Sequence, residues 1–466
     1  MYLDSLSLCR LSKCSISEKD CAVLASALNS NPLHLIEMDL SENKLGDAGV
    51  KRLSELLHNS NCTLKKLNLS FCHISEEGYA DLISALQSNP TSHLRELDLR
   101  GNNPGEKGMK HLNDLQKDKN CKLTLRLLSS PAAEEAFASL SKLLGTNPLL
   151  LRELDLSGKI QGDSAVKQLS DLMKDSHCIL TKLRLHNISI TEKGCAALVS
   201  ALSSNPSHLT ELDLSENQLG NSGVQQISKV LQDSNTRLAK LNLSFCRLTE
   251  KEYATLASAL SSNHSSHLID LDLRGNNPGE TGVEKLYNLQ KQRHGELRLR
   301  LLNSSNAEKA FDCMSKALGR NPLLLKELDL SGKIQGDLAA EQLSAFLKDS
   351  HCRAQILRLK NSRITTKGCA ALCSNSLHLK ALDLSENKLG HSGVQHICIC
   401  LQNRECKLEK LRLSDCSITE DGYAALASAL KSNSSLHLTE LDLRGNNPGD
   451  TGVKKLTDII NYKRLR

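Results

Sequence analysis

Leu35–Ile36–Glu37–Met38–Asp39–Leu40–Ser41–Glu42–Asn43–Lys44–Leu45 is the stretch that decides the fold. It has the form LxxLxLxxNxL, with Met38 in the second leucine place. The pattern returns with leucine starts at 64, 94, 151, 180, 209, 238, 268, 325, 379, 408 and 438. A first copy begins at Leu6, where Cys9 replaces a leucine, and another begins at Ala354. Two copies one residue short begin at Leu123 and Leu297, which brings the count to sixteen repeats, most of them 28 to 30 residues apart. Self-similarity at such a period specifies a stacked-repeat architecture.

Each part of the repeat has a physical role. Alternation in xLxL points the leucines to one face of a short strand. A turn follows with Asn43, Asn102, Asn217, Asn276, Asn387 or Asn446, placed to bond backbone groups of neighbouring turns. Cys14, Cys72, Cys246 and Cys416 take that slot in alternating repeats as small, weakly polar groups. The second half of the repeat reads as a helix. Tyr79, Leu82, Ile83 and Leu86 recur at helical spacing behind Ser75 in the N-cap place, and Asn89–Pro90 ends the segment. Thr249 and Glu252 read as a capping box. The expected fold is α/β: a leucine-rich horseshoe of about sixteen repeats, parallel sheet concave and helices convex.

Composition agrees. The 466 residues include five Phe, six Tyr and no Trp, so three ordinary aromatic-rich domains are excluded and a thin aliphatic core takes their place. The net charge of +6 is too small to specify a nucleic-acid binder. Purely apolar runs such as Leu149–Leu150–Leu151 are far too short to span a bilayer, and the N-terminus has no secretory pattern. Seventeen cysteines, an odd number scattered without a signal, favour reduced thiols and a cytoplasmic location. Cys398–Ile399–Cys400 is the closest pair and gives no zinc spacing. No cofactor is expected.

The repeats recur in blocks of six. Leu97–Gly105, LDLRGNNPG, returns identically at 271–279 and 441–449, offsets of 174 and 170. Residues 151–163 return at 325–337 with Arg152 changed only to Lys326. Comparison of 195–209 with 369–379 places a four-residue loss in one helix, and four residues are about one turn. A shortened helix near 368–375 is therefore expected. The whole chain reads as one solenoid.

The alternation of LxELDLSENxLGDxGV with LxKLxLSxCxITxxGYAxLxxAL resembles the ribonuclease-inhibitor-like subclass of leucine-rich repeats, over nearly the whole chain. Tandem arrays of this wording resemble the repeat regions of NACHT–LRR (NOD-like) receptors, especially the expanded families of bony fishes. The resemblance implies an array that senses ligands, binds protein partners or restrains an ATP-binding module of the same receptor. This sequence departs from the full receptor: it holds no GxxxxGK[ST] phosphate loop and no non-repeat stretch for an effector domain. It starts just before a repeat strand and stops at Arg464–Leu465–Arg466 without a polar cap at either end, so a fragment of a longer receptor, or ends that pair with something, is expected.

No catalytic constellation is found. His34, His93, His208, His267, His378 and His437 precede strand leucines too regularly for one active site, and neither HExxH nor GxSxG occurs. The informative surface is the outward strand face. Glu37 and Asp39, Lys66 and Asn68, Glu96 and Asp98, Lys182 and Arg184, Glu211 and Asp213, Lys240 and Asn242, and Asp270 and Asp272 alternate in sign, and Lys410 and Arg412 continue the basic rows. Strands about 4.8 Å apart let these rows neutralise one another or form a mixed-charge protein-binding face. Acidic rows disfavour uniform phosphate binding. Three features break the ladder. Phe71 and Phe245 follow a strand where the third block has Asp415, and can be contact points or pack on the next turn. Arg100, Arg274 and Arg444 can bind an acidic partner or pair with Asp98, Asp272 and Asp442. Arg126, Arg298 and Arg300, with Leu128 and Leu302, mark irregular joints. The expected function is a non-catalytic sensing array of an intracellular NOD-like innate immune receptor. A free ribonuclease-inhibitor-like protein and an LRR-type GTPase regulator are the alternatives.

Overall fold

The structure, a computed structural model, describes residues 7–30, 35–117, 122–205, 208–279, 281–292 and 296–463. Leu6, His34 and Arg464–Leu465–Arg466 lie outside the described residues. The repeated xLxL segments form three-residue strands: β1 (Leu8–Arg10), β2 (Glu37–Asp39), β3 (Lys66–Asn68), β4 (Glu96–Asp98), β5 (Thr124–Arg126), β6 (Glu153–Asp155), β7 (Lys182–Arg184), β8 (Glu211–Asp213), β9 (Lys240–Asn242), β10 (Asp270–Asp272), β11 (Arg298–Arg300), β12 (Glu327–Asp329), β13 (Ile356–Arg358), β14 (Ala381–Asp383), β15 (Lys410–Arg412) and β16 (Glu440–Asp442). One α-helix follows each strand. The strands order themselves as in the chain, in parallel sheets of five (β1–β5), six (β6–β11) and five (β12–β16). This is an α/β leucine-rich-repeat solenoid. Two compact units divide it, Met1–Asn242 with Ser258–Asp270, and Leu243–Ala257 with Leu271–Arg466.

Burial follows the pattern. Leu67, Leu69, Leu97 and Leu99 of the strand segments are at most 3% exposed, as are Tyr79, Leu82 and Ile83 of the helix Glu76–Ser88. The turn asparagines join successive repeats. Asn43 accepts from Cys14 and Ile16 N–H through Oδ1, both at 3.0 Å, and donates Nδ2 to the Leu11 and Leu40 carbonyls. Asn102 repeats the arrangement with Cys72, Ile74, Leu69 and Leu99. Where cysteine takes the slot it has one weak donor, and Cys72 Sγ donates to the Leu40 carbonyl one repeat back.

Helix starts are capped across repeats, which corrects the local reading of Ser75. Its hydroxyl makes no bond to its own helix and turns to Asp47 of the preceding repeat. The Asp47 carboxylate accepts Ser75 N–H at 2.7 Å and Gly78 N–H at 3.1 Å. A Cβ at Gly78 would lie 2.5 Å from Asp47 Oδ1, so glycine is required there. Asp163 caps Thr191 and Gly194 in the same way, and Asp337 caps Thr365 and Gly368. The Thr249 capping box is half formed: Glu252 accepts from the Thr249 N–H and hydroxyl, and the threonine oxygen faces its own partner rather than the helix.

The irregular repeats are joints. The first sheet ends at β5 and the next begins at β6; within the second compact unit, β11 closes one sheet and β12 opens another. The turns Pro148–Leu150 and Pro322–Leu324 lead into the new strands. A buried polar chain spans each joint. Tyr79 Oη lies 2.9 Å from His177 Nε2, and His177 Nδ1 lies 2.9 Å from Asp175 Oδ1. The other Asp175 oxygen accepts from Ser129 N–H and hydroxyl, and the Ser176 hydroxyl donates to the Asn102 carbonyl. Tyr253, His351, Asp349 and Ser350 form the same chain, with Asn303 N–H and the Asn276 carbonyl in the remaining places. Both histidines are fully buried.

The helix Thr366–Cys373 has 8 residues where its counterpart Glu192–Ser204 has 13, one residue beyond the four-residue loss in the sequence. With fewer turns to pack, its amides should exchange hydrogen faster than those at 194–204; equal protection in deuterium-exchange mass spectrometry would refute the weak point.

Burial pushes the Asp163 carboxyl up, but the Thr191 hydroxyl and N–H with Gly194 N–H outweigh it and hold the group below its ordinary 3.8. A lowered folded pKa gives stability that is complete above the unfolded value and is lost as pH falls through the folded value. Asp163→Asn should therefore be destabilised by an equal amount at pH 7 and pH 5, about 1 kcal/mol. The difference from wild type should shrink below about pH 3.8, as read from urea midpoints.

Candidate functional site

The parallel register sets the chemistry of the strand face. Glu37 stands beside Lys66 and Lys66 beside Glu96; Glu153, Lys182, Glu211 and Lys240 stand in one row. The expected basic residues mostly find carboxylates within this face. Lys66 Nζ lies 3.7 Å from Glu37 and 3.3 Å from Glu96, Lys182 lies 2.6 Å from Glu153, and Lys240 lies 2.7 Å from Glu211. Lys410 and Arg412 share Glu440 at 3.5 and 2.8 Å. Arg184 is exposed and stands between Asp155 and Asp213 in register, with no ion pair closer than 4 Å among the described residues. Such exposed pairs each contribute at most about 1 kcal/mol, so the face is neutralised without being rigidly locked.

Arg100, Arg274 and Arg444 turn back onto the aspartates two residues earlier. Their Nη2 atoms lie 2.6, 2.6 and 2.7 Å from Asp98, Asp272 and Asp442. The hydrogen bond from Arg444 holds the Asp442 carboxyl below its usual value, against the upward push of burial. These arginines close their own strand ends, and what they offer outward is the guanidinium edge.

Phe71 and Phe245 pack on the next turn, one of the two expectations, and stay partly exposed. Each backbone is left-handed, at φ 54° and 55°. Each ring lies over the glycine of the next turn, so close that a Cβ at Gly101 or Gly275 would come within 2.2 Å of a ring carbon. The two residues remain 47% and 49% exposed. Each is thus a half-buried aromatic with one open face beside the Arg100–Asp98 or Arg274–Asp272 pair. In the third block Asp415 stands against Gly445 in their place.

Sequence reading missed two features here. The buried Tyr–His–Asp chains were hidden among many loop histidines, although Asp175–Ser176–His177–Cys178 recurs as Asp349–Ser350–His351–Cys352 at the block offset. It also missed that the ladder changes in the third block, where Ile356 and Ala381 stand side by side. Among the described residues no three metal-ligating side chains gather, and no helix is long and apolar enough to cross a membrane.

Comparison with known proteins assigns this geometry. The family profile described as "Leucine Rich repeat" matches residues 31–54, 60–80, 92–112, 205–228, 375–398, 405–427 and 434–456. The ribonuclease inhibitor of Sus scrofa is 32% identical over 461 residues, covering 96% of this chain and 84% of the inhibitor. The chain belongs to the ribonuclease-inhibitor-like leucine-rich-repeat family. NACHT, LRR and PYD domains-containing protein 14 of Mus musculus is 32% identical over 84% of this chain, and protein 12 of that series from Homo sapiens is 31% identical over 87%. The chain spans only 39% and 32% of those two longer proteins. Among solved structures, an internalin from Listeria monocytogenes covers 93% of the chain at 14% identity with a TM-score of 0.19. This leucine-rich-repeat array is thus a protein-interaction array related to both ribonuclease inhibitors and the repeat regions of NACHT–LRR proteins.

Gly101→Ala should cost about 1–3 kcal/mol, because it meets the Phe71 ring and must also hold a left-handed backbone. Adding Phe71→Ala should recover only the steric part. Full recovery by thermal denaturation would show that the backbone at 101 relaxes freely.

Proposed function

We propose that this chain is a non-catalytic ligand-binding array of the NOD-like-receptor type, engaging protein partners, or other domains of the same receptor, through its strand face. The observation that carries the reading is the self-neutralised ladder, in which Lys66, Lys182 and Lys240 are held by carboxylates of adjacent strands. A face balanced in this way selects partners by the pattern of charge, and does not attract every polycation or polyanion. The net charge of +6 and the alternating rows also fit poorly with a grip on strongly basic enzymes. The half-exposed Phe71 and Phe245 supply aromatic contact points at the rim of that face. The related longer proteins carry NACHT, LRR and PYD domains in their names, and this chain, itself a leucine-rich-repeat array, spans only 39% and 32% of them. A cytoplasmic site of action follows from this reading.

A second reading, a free ribonuclease-inhibitor-like protein, is favoured by one observation: the chain matches 84% of the porcine inhibitor's length. A panel of basic pancreatic-type ribonucleases separates the two. With the chain at micromolar concentration the enzymes should keep full activity, while stoichiometric inhibition would establish the inhibitor reading instead. In parallel, a photo-crosslinking amino acid at Lys240 of the strand face should capture protein partners, and the same probe at Lys229 on a helix should not. Capture from the helix side alone would overturn the strand-face assignment.

A further inference from the structure

The outward row that includes Lys182 reads Glu153, Lys182, Glu211, Lys240 along β6–β9. The same row along β12–β16 reads Glu327, Ile356, Ala381, Lys410, Glu440. Two charged positions have become apolar, and they are adjacent in register. A third outward position, Asn242 in β9, has become Arg412 in β15. In the first block the corresponding places hold Leu8, Glu37, Lys66 and Asn68, so an apolar residue at the Ile356 place is shared with that block, while Ala381 and Arg412 depart from both other blocks. All three departures lie in one patch, which a cleft of about 230 Å³ covers, lined by Ile356, Ala381, Lys380, Asp383, Lys410 and Arg412 among others.

The charges around the patch rearrange as the missing partners require. Arg358 takes Glu327, which has no lysine beside it in this block. Lys410 has no carboxylate on β14 corresponding to Glu211, so it shares Glu440 with Arg412, and at 3.5 Å it holds the looser half of that pair. One carboxylate thus serves two cations on the β15 side, and the cleft lining sets Arg358, Lys380, Lys410 and Arg412 against only Asp383 and Glu409, leaving net positive charge beside an apolar window two strands wide, about 10 Å. Lys380 extends the basic rim and has no ion pair among the described residues.

We infer that β13–β15 form a discrete binding subsite for an acidic protein segment. It seats one large apolar side chain on Ile356 and Ala381 and directs a neighbouring carboxylate to Lys410 and Arg412. The charge complementarity is local: the incoming carboxylate supplies the second anion that Glu211 supplies to Lys240 in the preceding block. The apolar window excludes a purely electrostatic ligand, because a bare phosphate leaves Ile356 and Ala381 uncovered. The inference rests on the strand-face reading above and narrows it to one place and one partner chemistry.

The test uses the full chain and a fluorescein-labelled peptide of sequence Ser-Gly-Phe-Glu-Asp-Gly. Fluorescence anisotropy should show saturable binding, and deuterium exchange should show protection confined to 356–358 and 380–383. Replacing the acidic residues of the peptide by Gln and Asn should weaken binding at least tenfold. The double variant Ile356→Lys, Ala381→Glu restores the row found in β7 and β8, a pattern this fold already carries, and should also lose at least tenfold. Lys410→Gln provides a second, independent loss. Equal binding by wild type and the double variant, protection elsewhere, no binding at all, or equal competition by inorganic phosphate would each overturn the subsite. If the subsite fails while crosslinking at Lys240 persists, the strand-face reading stands alone; if crosslinking fails and the peptide still binds, the broader reading is the one lost.

Discussion

The stack in this molecule hangs on the side-chain amides that follow alternate strands of the regular repeats. One asparagine, such as Asn102, takes two N–H groups of the previous turn and gives its own protons to two carbonyls, one in each repeat. A buried turn has backbone polar groups with no sheet or helix to satisfy them, and leaving them unpaired costs about 1–3 kcal/mol each. The amide settles four such debts at once and fixes the spacing of adjacent turns. Once turn stacks on turn, strand register follows, and with it the lateral meeting of Lys66 with Glu37 and Glu96.

The division of labour is economical in residue types. Leucine and alanine fill a thin core, glycine admits the Asp47 carboxylate beside Gly78, and the outward positions are left for charge. Because the inward positions repeat so strictly, the outward ones can vary without disturbing the stack. That is how Ile356, Ala381 and Arg412 differ from Lys182, Glu211 and Asn242 while the strands keep their pairing.

The repeat number, the strand and helix segments, the shortened helix at Thr366–Cys373 and the irregular joints could all be read from periodicity. These are properties of spacing, and spacing is visible in one dimension. What could not be read are contacts between residues whose separation the period does not announce. Ser75 looked like a local cap, yet its partner is Asp47, 28 residues earlier. Tyr79 looked like a core aromatic, yet its hydroxyl meets His177, 98 residues later. The internal contacts of Arg100 with Asp98 and of Phe71 with Gly101 stood among the alternatives but could not be chosen, since each depended on a side-chain rotamer.

The Tyr79–His177–Asp175 chain has a consequence for how the molecule comes apart. Stacked-repeat proteins ordinarily lose repeats one at a time, because each touches only its neighbours. Here the helix of the third repeat is tied to the loop after the sixth repeat's helix, across an irregular repeat that could not hold a continuous sheet. Fraying that reaches the joint must break contacts on both sides of it together. The buried chain therefore couples repeats that do not touch as sheet neighbours, so unfolding is expected to move in steps larger than one repeat wherever such a chain spans a joint.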